Sequence, residues 1–119
     1  MEVHRLEIPD ELGGGWVDIR KSTGWKTRVD ITGKAIAAVG EDAPALEFGI
    51  AEAIEKFLAY IVAWSLVDDD GEPVEVTREF IESDDFDGEI GGFILREADA
   101  WYAQRRLSKR RTPRAEQGD

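Results

Sequence analysis

One long apolar pattern, between Pro44 and Pro73, limits what this chain can fold into more than any other feature. Large apolar residues recur there every three or four positions, which is the period of one face of an α-helix and not the alternation of a strand. These positions are Leu46, Ile50, Ile54, Phe57, Ile61 and Trp64. Other apolar residues widen the stripe, so neighbouring segments must cover the helix on several sides. The pattern predicts a central apolar helix over 44–66 that stops at the acidic turn 68–72.

Two short segments near the N-terminus, 3–8 and 16–20, alternate loosely between apolar and polar residues. The sequence PDELGGG at 9–15 lies between them and is typical of a turn. This order predicts an antiparallel β-hairpin over 3–20. Because an isolated two-stranded hairpin is only marginally stable, we expect it to pack on a helix.

Three further helices are predicted, at about 26–39, 77–82 and 86–107. In the first of these segments Gly33 and β-branched residues disfavour a helix, so a strand over Lys26–Ile31 followed by a short helix is the alternative. Thr77 is the expected N-cap of the helix 77–82. The last helix is expected from apolar residues that again step by three or four.

Together these segments predict a mainly α chain with a small N-terminal β-hairpin, an α+β fold in which the hairpin packs on three to four helices around the central helix 44–66. With 119 residues in total, one domain is the expectation. We assign it to residues 1–107. Residues 108–119 are polar and basic, with nothing larger than Ala115 on the apolar side, and we expect a disordered tail there.

Composition narrows the possible functions. The formal net charge is −11, yet residues 105–119 hold six bases and two acids. The rest of the chain therefore repels nucleic-acid phosphates. The chain has no cysteine and His4 is its single histidine, which argues against thiolate metal sites and a Ser-His-Asp triad. No apolar run is long enough for a membrane span. We expect no enzyme activity, no cofactor, no nucleic-acid partner and no membrane partner.

The acidic turn Asp68-Asp69-Asp70-Gly71-Glu72 invites comparison with a calcium loop. Aligning Gly71 with the loop glycine puts Leu66 and Thr77 at the first and last ligand positions, where carboxylates are needed. Both ends of the motif fail. A solvated turn that stops the central helix is the better interpretation, and a small acidic metal-binding domain remains an alternative.

Aromatic residues are the best candidates for contacts with another protein, since exposed aromatics often anchor protein interfaces. The chain has four tryptophans. The candidate partner-binding residues are Trp16, Trp25, Tyr60, Trp64 and Trp101. Trp64 and Trp101 lie on apolar helical stripes, so core packing is the first explanation for them. Trp16 and Trp25 flank the break at 21–24 and are expected to be partly exposed.

Several motifs in this chain resemble those of the small tail assembly chaperones of long-tailed bacteriophages that infect actinobacteria. They are GGGWVDIR at 13–20, a tryptophan followed by basic residues at 24–28, and VAWSLVDDDGEP at 62–73. An acidic helical segment and an Arg-rich end follow. The resemblance covers about residues 1–107.

The resemblance implies a non-enzymatic function. Such chaperones coat the long tape measure protein before the tail tube polymerises, help recruit tail tube protein, and are absent from the finished virion. It further implies a mainly helical protein of the host cell cytoplasm that forms homo-oligomers, and this chain would be the short form beside a frameshifted, extended one. A virion structural protein, such as a tail completion protein or head-tail connector, is the alternative.

Overall fold

The computed structural model describes the backbone of residues 2–117 and the side chains of residues 2–107. Its elements follow one another as β1 (Val3–Glu7), a short 3-10 turn (Asp10–Leu12), β2 (Trp16–Arg20), α1 (Trp25–Val39), α2 (Ala45–Tyr60), β3 (Ile61–Trp64), α3 (Arg78–Ile81) and α4 (Gly88–Gln117). The fold is α+β and mainly helical, as the sequence predicts.

The strands form one antiparallel sheet in the order β1-β2-β3. The predicted hairpin is confirmed: β1 and β2 pair in a register that sets Leu6 opposite Val17. These two residues and Ile19 point to the inner face of the sheet, where they are buried. Polar residues of the same strands lie on the outer face, which gives the one-sided pattern of a half-solvated antiparallel sheet.

The third strand corrects the prediction of a helix over 44–66. The helix ends at Tyr60 and the next four residues pair with β2, with an irregularity in register between Asp18 and Ile19. Ile61 and Trp64 are both buried. Their spacing of three fits a helical face, whereas in a strand it requires the irregularity at Val62, which lets both side chains face the core. The β-branched pair Ile61-Val62 favours the strand, and pairing satisfies the second edge of β2.

The remaining helices lie near their predicted positions. α1 is a continuous helix, so the alternative of a strand over Lys26–Ile31 is wrong. α3 is capped by Thr77, whose side chain accepts a hydrogen bond from the Phe80 N–H at 3.2 Å. α4 continues beyond the predicted end near 107. The side chains of the predicted disordered tail, 108–119, lie outside the described residues.

The core lies between the inner face of the sheet, the second half of α2 and the first half of α4. At one end of it four aromatic rings meet, those of Phe57, Trp64, Phe80 and Phe86, with ring centroids 5.1 to 5.7 Å apart. Gly91 of α4 makes room for two of them, since a Cβ there would lie 3.3 Å from the Phe86 ring and 3.4 Å from that of Phe57. This packing holds α2 and α4 together.

Farther along α4, two aromatic side chains fasten the helix to the end of β2. Trp101 donates from its indole N–H to the carbonyl of Lys21 at 2.9 Å, and Tyr102 donates from its hydroxyl to the carbonyl of Arg20 at 2.7 Å. The His4 ring stacks on the Trp101 ring, with centroids 3.6 Å apart. These contacts close the inner face of the sheet.

Candidate partner-binding surface

The apolar stripe of α2 is covered along only half of its length. Its second half is in the core, where Phe57 is 7% exposed and Tyr60 is 6% exposed. On the same stripe but in the first half, Leu46 is 76% exposed and Ile50 is 55% exposed. Residues four and seven apart share a helix face, so the core ends under Ile54 and the stripe continues beyond it. We call the exposed pair Leu46 and Ile50 the α2 ridge.

A second exposed apolar pair lies on α1. Trp25 is 80% exposed and Val29, one helical turn later, is 46% exposed. The buried residues of this helix, Ile31 and Ala35, lie on another side of it, and α1 packs chiefly against α2. We call Trp25 and Val29 the α1 ridge. Each ridge consists of two apolar side chains spaced by four residues.

Small residues run beside the α2 ridge. Ala45, Gly49 and Ala53 recur every four positions along the helix, and a Cβ built on Gly49 would meet nothing within 4 Å. A glycine inside a helix costs up to about 1 kcal/mol relative to alanine. The same open space exists at Gly33 in α1 and Gly92 in α4, so it is not particular to the α2 ridge.

The two ridges have charges of opposite sign next to them. Lys26 and Arg28 lie on either side of the α1 ridge, and Glu47 lies beside the α2 ridge, after the acidic turn 41–42. None of these side chains forms a salt bridge with another described residue. Arg28 also lines the polar cleft between α1, α2 and α4 that is described below.

The structure places Trp16 away from both ridges, on the outer face of the sheet. Its ring is half-buried under the guanidinium of Arg5, which lies 4.0 Å from the ring centroid. Arg5 also donates two hydrogen bonds to Asp18, at 2.7 and 3.0 Å. This bidentate pair lowers the pKa of Asp18 and raises that of Arg5. Trp16 and Arg5 thus form a rigid pair that belongs to the sheet.

Three other predicted contact residues pack or form hydrogen bonds within the protein. Tyr60 packs edge-on against Tyr102, with centroids 4.8 Å apart. Trp64 is buried and donates from its indole N–H to the carbonyl of Val74 at 2.7 Å. Trp101 is half-buried between His4 and Lys21. Of the five candidates, only Trp25 is largely exposed.

Leu46 and Ile50 were assigned to the core from the sequence, and the structure places them on the surface. The apolar period alone could not reveal this, because it is the same in the covered and in the open half of the stripe.

The acidic turn is held by hydrogen bonds within the turn itself. One carboxylate oxygen of Asp68 accepts from the backbone N–H groups of Asp70 and Glu72, at 2.9 and 3.0 Å, and Gly71 has a φ of +80°. Within the part of the chain that the structure describes, no group of three or more His, Cys, Asp or Glu residues is arranged to hold a metal ion. Asp68 thus has a turn-forming function.

A polar cleft of about 360 Å³ opens between α1, α2 and α4. Its charged groups are of both signs, and two of them, Lys56 and Asp99, pair at 3.4 Å. Tyr60 is among its lining residues, and burial raises the pKa of this tyrosine to about 12.

No helix among the described residues is both long and apolar enough to cross a bilayer. No protein-family model matches the chain, and comparisons with curated proteins and with solved structures find no match either.

Proposed function

We propose that this protein is a non-enzymatic assembly chaperone that binds an apolar helical segment of another protein through the α2 ridge. The observation that carries the proposal is the half-covered stripe of α2, in which Phe57 is buried while Leu46 and Ile50 are exposed. An amphipathic helix laid along α2 would continue the coverage that the chain's own core begins. Anchors spaced by three, four and seven residues are typical of helix-in-groove recognition.

The resemblance described above supplies the identity of the client in this proposal. The tape measure protein of a long-tailed phage is long and rich in coiled-coil segments, so it exposes apolar stripes before the tail tube surrounds it. The chaperone would cover these stripes in the host cell cytoplasm and help bring tail tube protein to them. Its net charge of −11 would keep such a complex soluble.

Co-expression with the tape measure protein tests the proposal. We expect the native chain to increase the soluble fraction of the tape measure protein and to co-purify with it. A variant carrying Leu46→Asp and Ile50→Asp should lose both effects, because two desolvated carboxylates in an apolar contact are unfavourable. Val67→Asp is the matched control: Val67 is 56% exposed but lies at the acidic turn, so the variant should behave like the native chain.

No co-purification and no gain in solubility with the native chain would refute the proposal. Equal binding by the α2-ridge variant would show that the client binds elsewhere. Mass spectrometry of purified phage particles separates the chaperone from a virion structural protein. A chaperone should be missing from the particles, whereas a tail completion protein or head-tail connector should be present in ring-like copy number.

A further inference from the structure

We propose that a cleft between the end of β2 and α4 binds the phosphate group of a small phosphate monoester. The cleft has a volume of about 360 Å³ and is lined by Glu2, Arg20, Lys21, Ser22 and Arg105. We call it the basic cleft. It includes no residue of the α1 or α2 ridge, so this proposal and the chaperone function can each fail without the other.

The basic cleft differs in charge from the rest of the protein. Three of its described lining residues are cationic and one is acidic, in a chain whose formal net charge is −11. Neither Arg20 nor Arg105 forms a salt bridge with another described residue, although the chain has 26 acidic residues. A guanidinium group can donate two parallel hydrogen bonds to one oxyanion, so the pair is suited to an anionic ligand.

The position of Arg105 strengthens its attraction for an anion. Its guanidinium carbon lies 5.6 Å from the ring centroid of Trp101, one helical turn earlier on α4. Its Nε atom is buried and has no hydrogen-bond partner among the described residues. One side of this cation has therefore lost water without gaining an acceptor. Because less water competes for it, the cation attracts an anion more strongly than a fully hydrated arginine does.

The walls of the basic cleft are fixed before any ligand binds. Trp101 and Tyr102 donate hydrogen bonds to the carbonyls of Lys21 and Arg20, which ties α4 to the segment that forms the opposite wall. The same bonds occupy two carbonyl oxygens, and free carbonyl oxygens would repel an anion. A cleft that is already formed needs little ordering when its ligand binds.

The charge of the lining indicates the class of anion. A phosphate monoester carries about 1.5 to 2 negative charges at pH 7, which matches the excess of two cations over acids in the lining. A carboxylate or a phosphodiester carries only one. The Ser22 hydroxyl supplies a further hydrogen-bond donor for a phosphate oxygen. A long polyanion such as a nucleic acid fits poorly, because the acidic remainder of the protein repels it.

The positive charge continues beside the basic cleft. A hollow of about 30 Å³ shares Ser22 and Arg105 with it and adds Arg106. This hollow has room for about one water molecule, so it does not hold the ligand itself. Its arginine extends the positive field on the side where the rest of a small ester would lie.

Calorimetric titration of the full chain tests the proposal, with phenyl phosphate as the probe. We expect saturable binding with a Kd in the millimolar range or below. Dimethyl phosphate, a diester with a single charge, should bind at least about fivefold more weakly because it leaves part of the positive charge unbalanced.

Three variants locate the binding. Arg105→Gln should raise the Kd for phenyl phosphate at least about tenfold, because it removes charge-assisted hydrogen bonds. Arg96→Gln is the matched control, since Arg96 is also on α4 but its side chain is 69% exposed and lies outside the cleft. Its Kd should equal that of the native chain.

Glu2→Gln should have the opposite effect and lower the Kd about threefold. Glu2 is the one acidic residue among the described lining, and its carboxylate pairs with Lys21 at 3.3 Å. Removing that carboxylate leaves Lys21 to the ligand. Tighter binding cannot result from misfolding, so this variant keeps the test decisive even if the arginine variant is unstable.

The proposal is overturned if phenyl phosphate does not bind, if Arg105→Gln and Arg96→Gln bind it equally, or if the monoester and the diester bind equally. A phosphoserine peptide that binds at least about tenfold more tightly than phenyl phosphate would overturn the small-molecule assignment, because the phosphate would then come from a partner protein. The co-expression experiment with the tape measure protein is judged separately from all of these results.

Discussion

Gly15, which directly precedes β2, is required for the close packing between the hairpin and the loop that follows β3. Its φ is +99°, and a Cβ there would collide with the hydroxyl oxygen of Ser65. That oxygen accepts a hydrogen bond from the Trp16 N–H at 2.8 Å, so it cannot move without losing the bond. The glycine is what allows the loop after β3 to come up against the hairpin.

We therefore predict that Gly15→Ala lowers the free energy of unfolding by about 2 kcal/mol more than Gly13→Ala. Gly13 is the matched control, because its φ is also positive, at +105°, yet a Cβ there would meet nothing within 4 Å. Urea denaturation measures both. Equal losses would show that backbone strain alone, without the collision, accounts for the requirement.

Both tyrosines of the chain titrate abnormally high. Burial raises the pKa of Tyr60 to about 12 and raises that of Tyr102 further, while the unfolded chain has values near 10. The unfolded state therefore loses its tyrosine protons first, and stability that is complete below pH 10 is lost as the pH rises through the folded values.

The urea midpoint of the native chain should decrease as the pH rises from 10 to 12. The midpoint of Tyr102→Phe should decrease less steeply over the same range. The comparison of slopes separates the tyrosines from other groups, because Tyr102→Phe also removes the bond to the Arg20 carbonyl and lowers stability at every pH. A native chain whose stability is flat between pH 10 and 12 would contradict this assignment.

Among single residues, exposure was predictable from the sequence only where a chain break explained it. Trp25 follows the break at 21–24 and is exposed, as expected. Trp64 lies on an apolar stripe and is buried, as its packing explanation has it. Leu46 lies on the same apolar stripe as Trp64, yet it is exposed while Trp64 is buried. The difference depends on which parts of the stripe the other elements cover, and the stripe itself does not show this.

At the scale of elements, the junction of α2 and β3 shows why the end of a helix can be hard to predict from the sequence. The run Ile61-Val62-Ala63-Trp64 continues the helical period of α2, so periodicity could not locate the end of the helix. What ends it is the second edge of β2, which pairs with this run. A long-range partner of that kind has no local signature, whereas the N-cap of α3 at Thr77 does.

One salt bridge fastens α3 to α2. Glu55 is only 5% exposed, and the guanidinium of Arg78 donates to its carboxylate at 2.8 Å. This bond raises the pKa of Arg78. A buried carboxylate left without its partner is costly, more than the intact pair is stabilising.

Arg78→Met should therefore lower the free energy of unfolding by about 1–3 kcal/mol, and adding Glu55→Gln should recover part of the loss. Arg96→Met is the control, since Arg96 is largely exposed and its contact with Glu97 is 4.0 Å long. Its effect should stay below about 0.5 kcal/mol. Chemical denaturation of the four chains gives the comparison, and equal effects of Arg78 and Arg96 would contradict it.

At the scale of the whole molecule, α4 is the clamp that joins the C-terminal half to the hairpin. Trp101 and Tyr102 bond to carbonyls 80 and 82 residues earlier in the chain. We predict that Trp101→Leu lowers the free energy of unfolding by about 2–4 kcal/mol, because it removes the bond to Lys21 and the stack on His4.

Trp25→Leu is the control for that change. It alters the same side chain at an 80% exposed position and should shift stability by less than about 0.5 kcal/mol. Urea unfolding should be followed by circular dichroism, because each variant lacks one tryptophan and its fluorescence cannot be compared directly with that of the native chain. Similar losses for the two variants would mean that the clamp is not a main contributor to stability.

The α+β class, the hairpin and the order of the helices were predictable from the chain, since each has a local pattern of its own. The open half of the α2 stripe was not, because coverage depends on where every other element ends.

The clamp at Trp101 and Tyr102 also bears on how the chain leaves the ribosome. During synthesis the hairpin, α1 and α2 emerge first, while the inner face of the sheet and the whole apolar stripe of α2 are still exposed to solvent. Only when the first half of α4, which ends with Trp101 and Tyr102, has been translated can the carbonyls of Lys21 and Arg20 receive their hydrogen bonds. Until those two donors have emerged, the nascent chain exposes apolar surface that the folded protein buries, and it is then most prone to associate with other nascent chains.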